Sequence, residues 1–435
     1  MTRFRPALVL VACVTAAAMS LPASASTTSV SAKKGSAVTH IGYRQWTTDA
    51  DFAQGTHAGT TTSGGALVMA SPAGTFAYAD PYGDGSSVTY DVARWHSPEI
   101  TPGFSYTELV GSWNADTPAG TWIQLSVTGL ADDGTRSKSY ILGRWAEGDD
   151  TIHRTSVPAQ GDDLATVAID TLVARTGRSL TSWQLTVSLF RRTGTTATPS
   201  VGLVGAMASQ LPTDVKKLPA SPQGAAAGIT LDVPAYSQET HIGEYPQFNG
   251  GGEAWCSPTS TAMVLAYWQQ LNPAYGPSPA DFTGIPYADP QVDYAAASTY
   301  DYNYDGTGNW PFNTAYAGRY DLESFVTRLR SLTEAEQFIK AGIPLVVSIS
   351  FKKGELDGAG YGTNGHLMVI VGFTDNGDVV VNDPASHLIA SNDQVRTVYD
   401  RTQFENVWVP HSGGITYVIH PTSVPLPTRP AEANW

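Results

Sequence analysis

The run Trp255-Cys256-Ser257-Pro258-Thr259-Ser260-Thr261-Ala262-Met263-Val264-Leu265 places a cysteine at the start of a helix. Residues 257–271 carry the helical pattern, with Pro258 in the first turn, where a missing N–H costs nothing. Ala262 to Ala266 are apolar nearly all round, which predicts a buried core helix. At its start, unpaired N–H groups and the helix dipole favour a thiolate at Cys256. The chain has one other cysteine, Cys13, in an apolar N-terminal segment. That segment has the form of a signal peptide: Arg3 and Arg5, an apolar stretch from Ala7 to Leu21, then Ala23-Ser24-Ala25, with cleavage expected after Ala25. Leu10-Val11-Ala12-Cys13 has the form of a lipoprotein box. However, little apolar sequence precedes it, and Val14 to Leu21 stay apolar where a polar tether is needed, so the reading is soluble secretion. An exported protein normally pairs its cysteines. Cys256 then stands alone, either as a buried structural residue or as a reactive thiol.

Composition narrows the function classes. The formal charge is −14, and losing Arg3 and Arg5 with the leader makes it −16. That balance excludes the basic footprint of nucleic-acid binding and simple attraction to an anionic surface. After the leader, no stretch approaches the roughly 20 apolar residues of a membrane span.

Outward from the helix the chain divides. Residues 26–39 are Ser/Thr/Ala/Lys-rich and read as disordered. Residues 40–210 read as an all-β sandwich. Ile123, Leu125 and Val127 alternate with Gln124, Ser126 and Thr128, and Trp183, Leu185, Val187 and Leu189 alternate with polar residues. Asp133-Gly134 marks a turn between two such runs. Residues 211–228, centred on Lys217 to Ala225, have linker composition. Residues 229–421 read as mixed α/β, and 422–435 as a C-terminal tail. Within the second domain Leu322, Phe325, Val326 and Leu329 have amphipathic-helix spacing, and Thr333 with Glu336 predicts a capping box for a helix that Gly342 ends. Residues 343–351, 366–373 and 378–382 read as strands.

A cysteine nucleophile needs a base and oxyanion donors. His366 follows Gly362-Thr363-Asn364-Gly365 and opens the strand Leu367–Phe373, a junction that fits a general base or a strand-capping histidine equally. The orienting group is Asp383, in Val380-Val381-Asn382-Asp383-Pro384, or Asn382. Register matters here. If Asn376-Gly377 is a simple hairpin tip, Asp383 lies opposite residue 370, roughly 13 Å along the strand from His366. A pairing of Asp383 with His366 needs a turn tip nearer Thr374-Asp375, or a bulge. Gln238 and Gln247 both qualify as the oxyanion donor.

Taken in order, Leu231-Asp232-Val233-Pro234 with Tyr236-Ser237-Gln238, the Trp255-Cys256-Ser257-Pro258 run, Gly365-His366 and Asn382-Asp383-Pro384 resemble the bacterial papain-like cysteine peptidases related to the bacteriocin-leader-processing family, of the secreted actinobacterial type. The resemblance covers residues 229–421. It implies a papain-like fold after the β-sandwich, hence an α+β chain. It also implies Cys256 as nucleophile, His366 as general base and acid, Asp383 as orienting residue and Gln238 as the oxyanion donor. Two departures stand out. Ser257 replaces the glycine common after the nucleophile, and no transporter segments are present, which argues against export-coupled removal of double-glycine leaders.

The function expected is hydrolysis of a peptide or protein substrate without cofactor or metal. The alternatives are a peptidoglycan-peptide hydrolase with the same triad, and a non-catalytic adhesion or carbohydrate-binding protein. Trp255, Asn309 and Trp310 are expected to bind substrate, the last two in a Tyr-rich loop lining the cleft. Asp301-Tyr302-Asn303-Tyr304-Asp305-Gly306 matches the first half of a calcium loop, but Phe312 stands where the closing Glu belongs. Six tryptophans of the β-rich half (Trp46, Trp95, Trp113, Trp122, Trp145, Trp183) serve either as core or as a glycan- or wall-contacting face.

Overall fold

A computed structural model describes residues 39–213, 217 and 219–435. The leader and all but the last residue of the segment 26–39 lie outside the described residues, as do 214–216 and 218 in the linker region.

The first half of the chain forms two antiparallel sheets. One runs Ala165–Ala168, Thr171–Ala174, Glu108–Asp116, Ser200–Gln210, Ala66–Met69, Thr60–Ser63, with His40–Trp46 also paired to Ser200–Gln210. The other runs Thr56–Ala58, Ser87–His96, Leu180–Arg192, Thr121–Ala131, Tyr140–Trp145, with Gly74–Ala79 on Ser87–His96. The expected hairpin is present. Ile123 pairs with Trp145, and Gly134, at φ +83°, takes the left-handed turn position that suits glycine. Trp46 of the first sheet meets Trp95 and Trp183 of the second edge-on. All six tryptophans of this half are at most 1% exposed. They form core, and none is available as a glycan platform.

The second half is built on a third antiparallel sheet, ordered Glu323–Arg328, Ile415–His420, Leu345–Phe351, Thr363–Phe373, Val379–Asn382, Arg396–Tyr399. Helix Cys256–Leu271 buries Ser257 through Leu265 and Trp268. Ser260 Oγ donates to the Leu367 carbonyl, which seats the helix start beside the strand carrying His366.

Two sequence readings are corrected. Residues 323–328 form a strand where a helix was expected. Phe325 and Val326 are both fully buried because the strand has core on both faces, so its apolar spacing imitates a helical stripe. The cap of helix Leu332–Lys340 is Ser331, which accepts from Glu334 N–H, two residues before the expected Thr333. Glu336 is buried and accepts from the Gly224 and Ala226 N–H groups while pairing with Arg401. Residues 221–228 are therefore docked on the second domain, not a free tether.

The two halves share one apolar core. Strand Glu323–Arg328 is the outer strand of its sheet, and the first domain closes that edge. Asn114 donates to the Ser324 carbonyl at 2.8 Å and accepts its N–H at 3.0 Å, and Ser112 Oγ accepts the Val326 N–H at 2.9 Å. Unpaired strand edges invite unwanted pairing, and here side chains satisfy the ladder instead. The C-terminal segment also docks. Trp435 is fully buried against Phe338, and Asn434 bonds the Arg328 carbonyl.

Candidate active site

Strand Thr363–Phe373 delivers His366, which is 4% exposed, and the end of Val379–Asn382 delivers the fully buried Asp383. Two local irregularities bring them together. The hairpin turn closes between Thr374 and Asp378, with Gly377 at φ +86°. The pairing then slips by one residue at Val371, between Ile370↔Val381 and Gly372↔Val380. Val369 therefore faces Asn382, which sets Asp383 across from Met368. Side chains alternate along a strand, so Met368 and His366 share a face. Asp383 is a diagonal neighbour of His366 on that face, within side-chain reach. Without the slip, Asp383 would lie opposite Val369 and point to the other face. Both remedies that the register argument asked for are present in part.

The result is a hydrogen bond of 2.8 Å between His366 Nε2 and Asp383 Oδ1. Asp383 also accepts from Tyr361 Oη, Tyr399 Oη and the Ala385 N–H. Burial works to raise the Asp383 carboxyl, but His366 and the hydrogen bonds from Tyr399 and Tyr361 outweigh it and hold it below the usual range. For His366, burial works against the imidazolium. The Asp383 carboxylate, by charge and hydrogen bond, and the neighbouring Cys256 sulfur overcome this and push the imidazole up to about 10. With Nε2 committed to Asp383, Nδ1 is the ring nitrogen left for the thiol. Cys256 is partly exposed and is the first residue of its helix. Its N-cap, Trp255, offers no side-chain acceptor, so the first-turn N–H groups keep no side-chain cap.

Gln238 is buried, whereas Gln247 is exposed. The Gln238 backbone N–H donates to the Pro384 carbonyl, and its side-chain amide donates to the Glu253 carbonyl at 2.8 Å. The glutamine thus links the segment after Asp383 to the loop leading into Cys256. Asn382 turns away, donating to the Val233 and Pro234 carbonyls and accepting from Arg396, so it does not orient His366.

The expected substrate contacts fare differently. Trp255 is fully buried, its indole N–H donating to the Phe248 carbonyl, and Asn309 is fully buried as the cap of helix Trp310–Ala317. Neither can touch a substrate. Trp310 stays partly exposed at the helix start, where its N–H donates to Asp170 of the first domain. The expected cleft loop is instead this helix, with Phe312 wedged against Trp113 and Trp145. Asp301 is fully buried at the start of the segment with calcium-loop spacing. Its oxygens accept from the Ser156, Asn303 and Tyr304 N–H groups and from Asn309.

Sequence reasoning missed Tyr361, Tyr399 and Glu239. The tyrosines come from segments 22 and 16 residues from Asp383 and carry no motif. Glu239 follows Gln238 directly and is 7% exposed. Burial and then the Glu253 charge push its carboxyl up, while His366 pulls it down.

Two family models match the chain, one in each half. A Peptidase C39 N-terminal domain family matches residues 42–209, and the Peptidase_C39 like family matches residues 230–415. The chain belongs to the C39-like peptidase family. A peptidase domain implies a hydrolase acting on a peptide or protein substrate. Among solved structures, the chain is similar to a Bacillus anthracis chain described as a C39-like peptidase, at 17% identity and TM-score 0.26, covering 45% of this chain and 98% of that one. It is also similar to a structure of carbohydrate-binding modules of the β-sandwich superfamily, at 14% identity and TM-score 0.17, covering 35% of this chain and 59% of that one. No curated protein matches. Among the described residues, no helix is long and apolar enough to cross a membrane.

Proposed function

We propose that this C39-like chain is a secreted cysteine peptidase that hydrolyses peptide bonds through Cys256, His366 and Asp383, with the first domain a β-sandwich accessory. The observation that carries the reading is the 2.8 Å bond from His366 to the fully buried Asp383, on an imidazole that also interacts with the neighbouring Cys256 sulfur. In the proposed cycle the Cys256 thiolate attacks the amide carbonyl. His366 gives its proton to the leaving amine, and water then resolves the thioester, with His366 acting as base. Asp383 holds the imidazolium in orientation. Gln238 and the Cys256 N–H stabilise the developing oxyanion.

Labelling with a thiol-directed electrophile, paired with hydrolysis of an unfolded protein by the wild type and Cys256→Ala, tests this. Labelling well above that of a simple thiol and complete loss of hydrolysis in Cys256→Ala are expected. Ordinary thiol reactivity with unchanged hydrolysis would remove the enzyme reading. Comparing wall fragments with unfolded protein as substrates separates a peptidoglycan-peptide hydrolase from a general peptidase. Recovery of the protein from culture medium, processed near Ala25, tests secretion.

A further inference from the structure

His241 ends the short turn Gln238–His241, Glu244 follows three residues later, and Asp293 stands in the first turn of helix Pro290–Thr299. His241 Nδ1 lies 2.8 Å from Glu244 Oε2 and 3.1 Å from Asp293 Oδ1. One donor atom from each of the three side chains lies within 4.8 Å of the other two. His241 and Asp293 are each 1% exposed, and Asp293 keeps its second oxygen, Oδ2, buried without a partner.

Charge balance makes this arrangement unusual. Two carboxylates around one imidazolium leave a net charge of −1 in a nearly dry site, and buried charge without full compensation is expensive. A divalent cation on two carboxylates and a neutral imidazole gives zero. Geometry agrees. Donor atoms around a tetrahedral ion at roughly 2.0–2.2 Å stand about 3.3–3.6 Å from one another, so the two contacts of His241 Nδ1, at 2.8 and 3.1 Å, need only open slightly to admit one. One imidazole nitrogen with two carboxylate oxygens suits zinc or manganese, while calcium prefers six to eight oxygens.

We propose that His241, Glu244 and Asp293 form a binding site for a divalent cation of the zinc and manganese class. The ion is structural, not catalytic. It clamps helix Pro290–Thr299 to the turn that begins at Gln238 and to the loop running on to Cys256. The His241 ring lies beside Trp255, centroids 6.0 Å apart, directly before that cysteine. Binding itself does not depend on the peptidase reading. Only its value for positioning Gln238 does.

The test uses the full chain as Cys256→Ala, because a thiol beside His366 would itself compete for zinc. The protein is stripped with a chelator, dialysed and titrated separately with zinc, manganese and calcium by calorimetry. The expected result is one equivalent of zinc and of manganese, weak or absent calcium binding, and a rise in melting temperature with zinc. Asp293→Asn and Glu244→Gln on the same background should each weaken zinc at least about tenfold and abolish the melting shift. Glu244 is the more exposed ligand, so Glu244→Gln keeps the test open if Asp293→Asn fails to fold. No saturable zinc binding, undiminished binding in the variants, or calcium binding as tight as zinc would each overturn the proposal. Loss of peptide hydrolysis on chelation, without zinc binding to Cys256→Ala, would not rescue it.

Discussion

Asp383 reaches His366 diagonally across the sheet, at 2.8 Å, because the strand pairing slips by one residue at Val371. The slip sets Asp383 on the histidine's face. Asp383→Asn should therefore leave the fold intact while lowering kcat by about 10²–10⁴-fold, since a neutral amide cannot balance the imidazolium charge and its NH2 group can hold the ring in the wrong tautomer. The alkaline limb of the kcat/KM profile should also move to lower pH, because the carboxylate is the main group holding the imidazolium proton. Near-normal turnover in this variant would remove Asp383 from its role.

Gln238→Ala should lower kcat by about 10²-fold or more, with KM little changed, as expected for a donor that acts mainly in the transition state. Steady-state kinetics on one peptide substrate decide it. A raised KM at unchanged kcat would make Gln238 a substrate-binding or structural residue instead.

Much of this candidate site was legible in the sequence, because Cys256 and His366 each sit at a junction that a linear motif marks, while Gln238 was set apart from Gln247 by the family resemblance. The helix start and the loop-to-strand transition are local signals. Asp383 was legible as a residue but not as a contact, since a one-residue bulge leaves no trace in an all-apolar strand. Trp255 and Asn309 were misjudged for a related reason. Proximity to the nucleophile says nothing about which way a side chain points, and both point into the core. The strand at residues 323–328 was missed because burial on both faces erases the period-two signal, and only the other domain supplies the second face.

Stability should fall between about pH 6.5 and 10. His366 is pushed up to about 10 in the folded chain, against about 6.5 unfolded. The folded state thus binds the proton more tightly. That contribution is full below about pH 6.5 and disappears as pH rises through about 10. Asp383 is held low, so its share is present above about pH 4 and is lost as pH falls. Urea unfolding at several pH values should show this decline in the wild type and a flatter profile in His366→Gln. Identical slopes would contradict it.

Gly372→Ala should destabilise the chain by about 1–3 kcal/mol. A Cβ there would stand 2.4 Å from the Ile229 carbonyl oxygen, because the segment 229–231 crosses the bulge at this point and Leu231 N–H donates to the Val371 carbonyl. If instead the melting temperature is unchanged, the approach of residues 229–231 to the bulge is not as described.

The edge of strand Glu323–Arg328 provides the test of how the two domains depend on each other. Asn114 completes both the N–H and the C=O of Ser324, and all the atoms involved are buried. Asn114→Ala would leave two backbone groups unpaired, at about 1–3 kcal/mol each. It would also open the interface where Phe312 packs between Trp113 and Trp145. Because one apolar core runs through both halves, the loss should appear as a single transition at lower urea, in which hydrogen exchange of the first-domain strands and Cys256 accessibility in the second change together. Two separated transitions in the wild type would show that the first domain folds independently, and that the asparagine joins two finished modules instead of completing one.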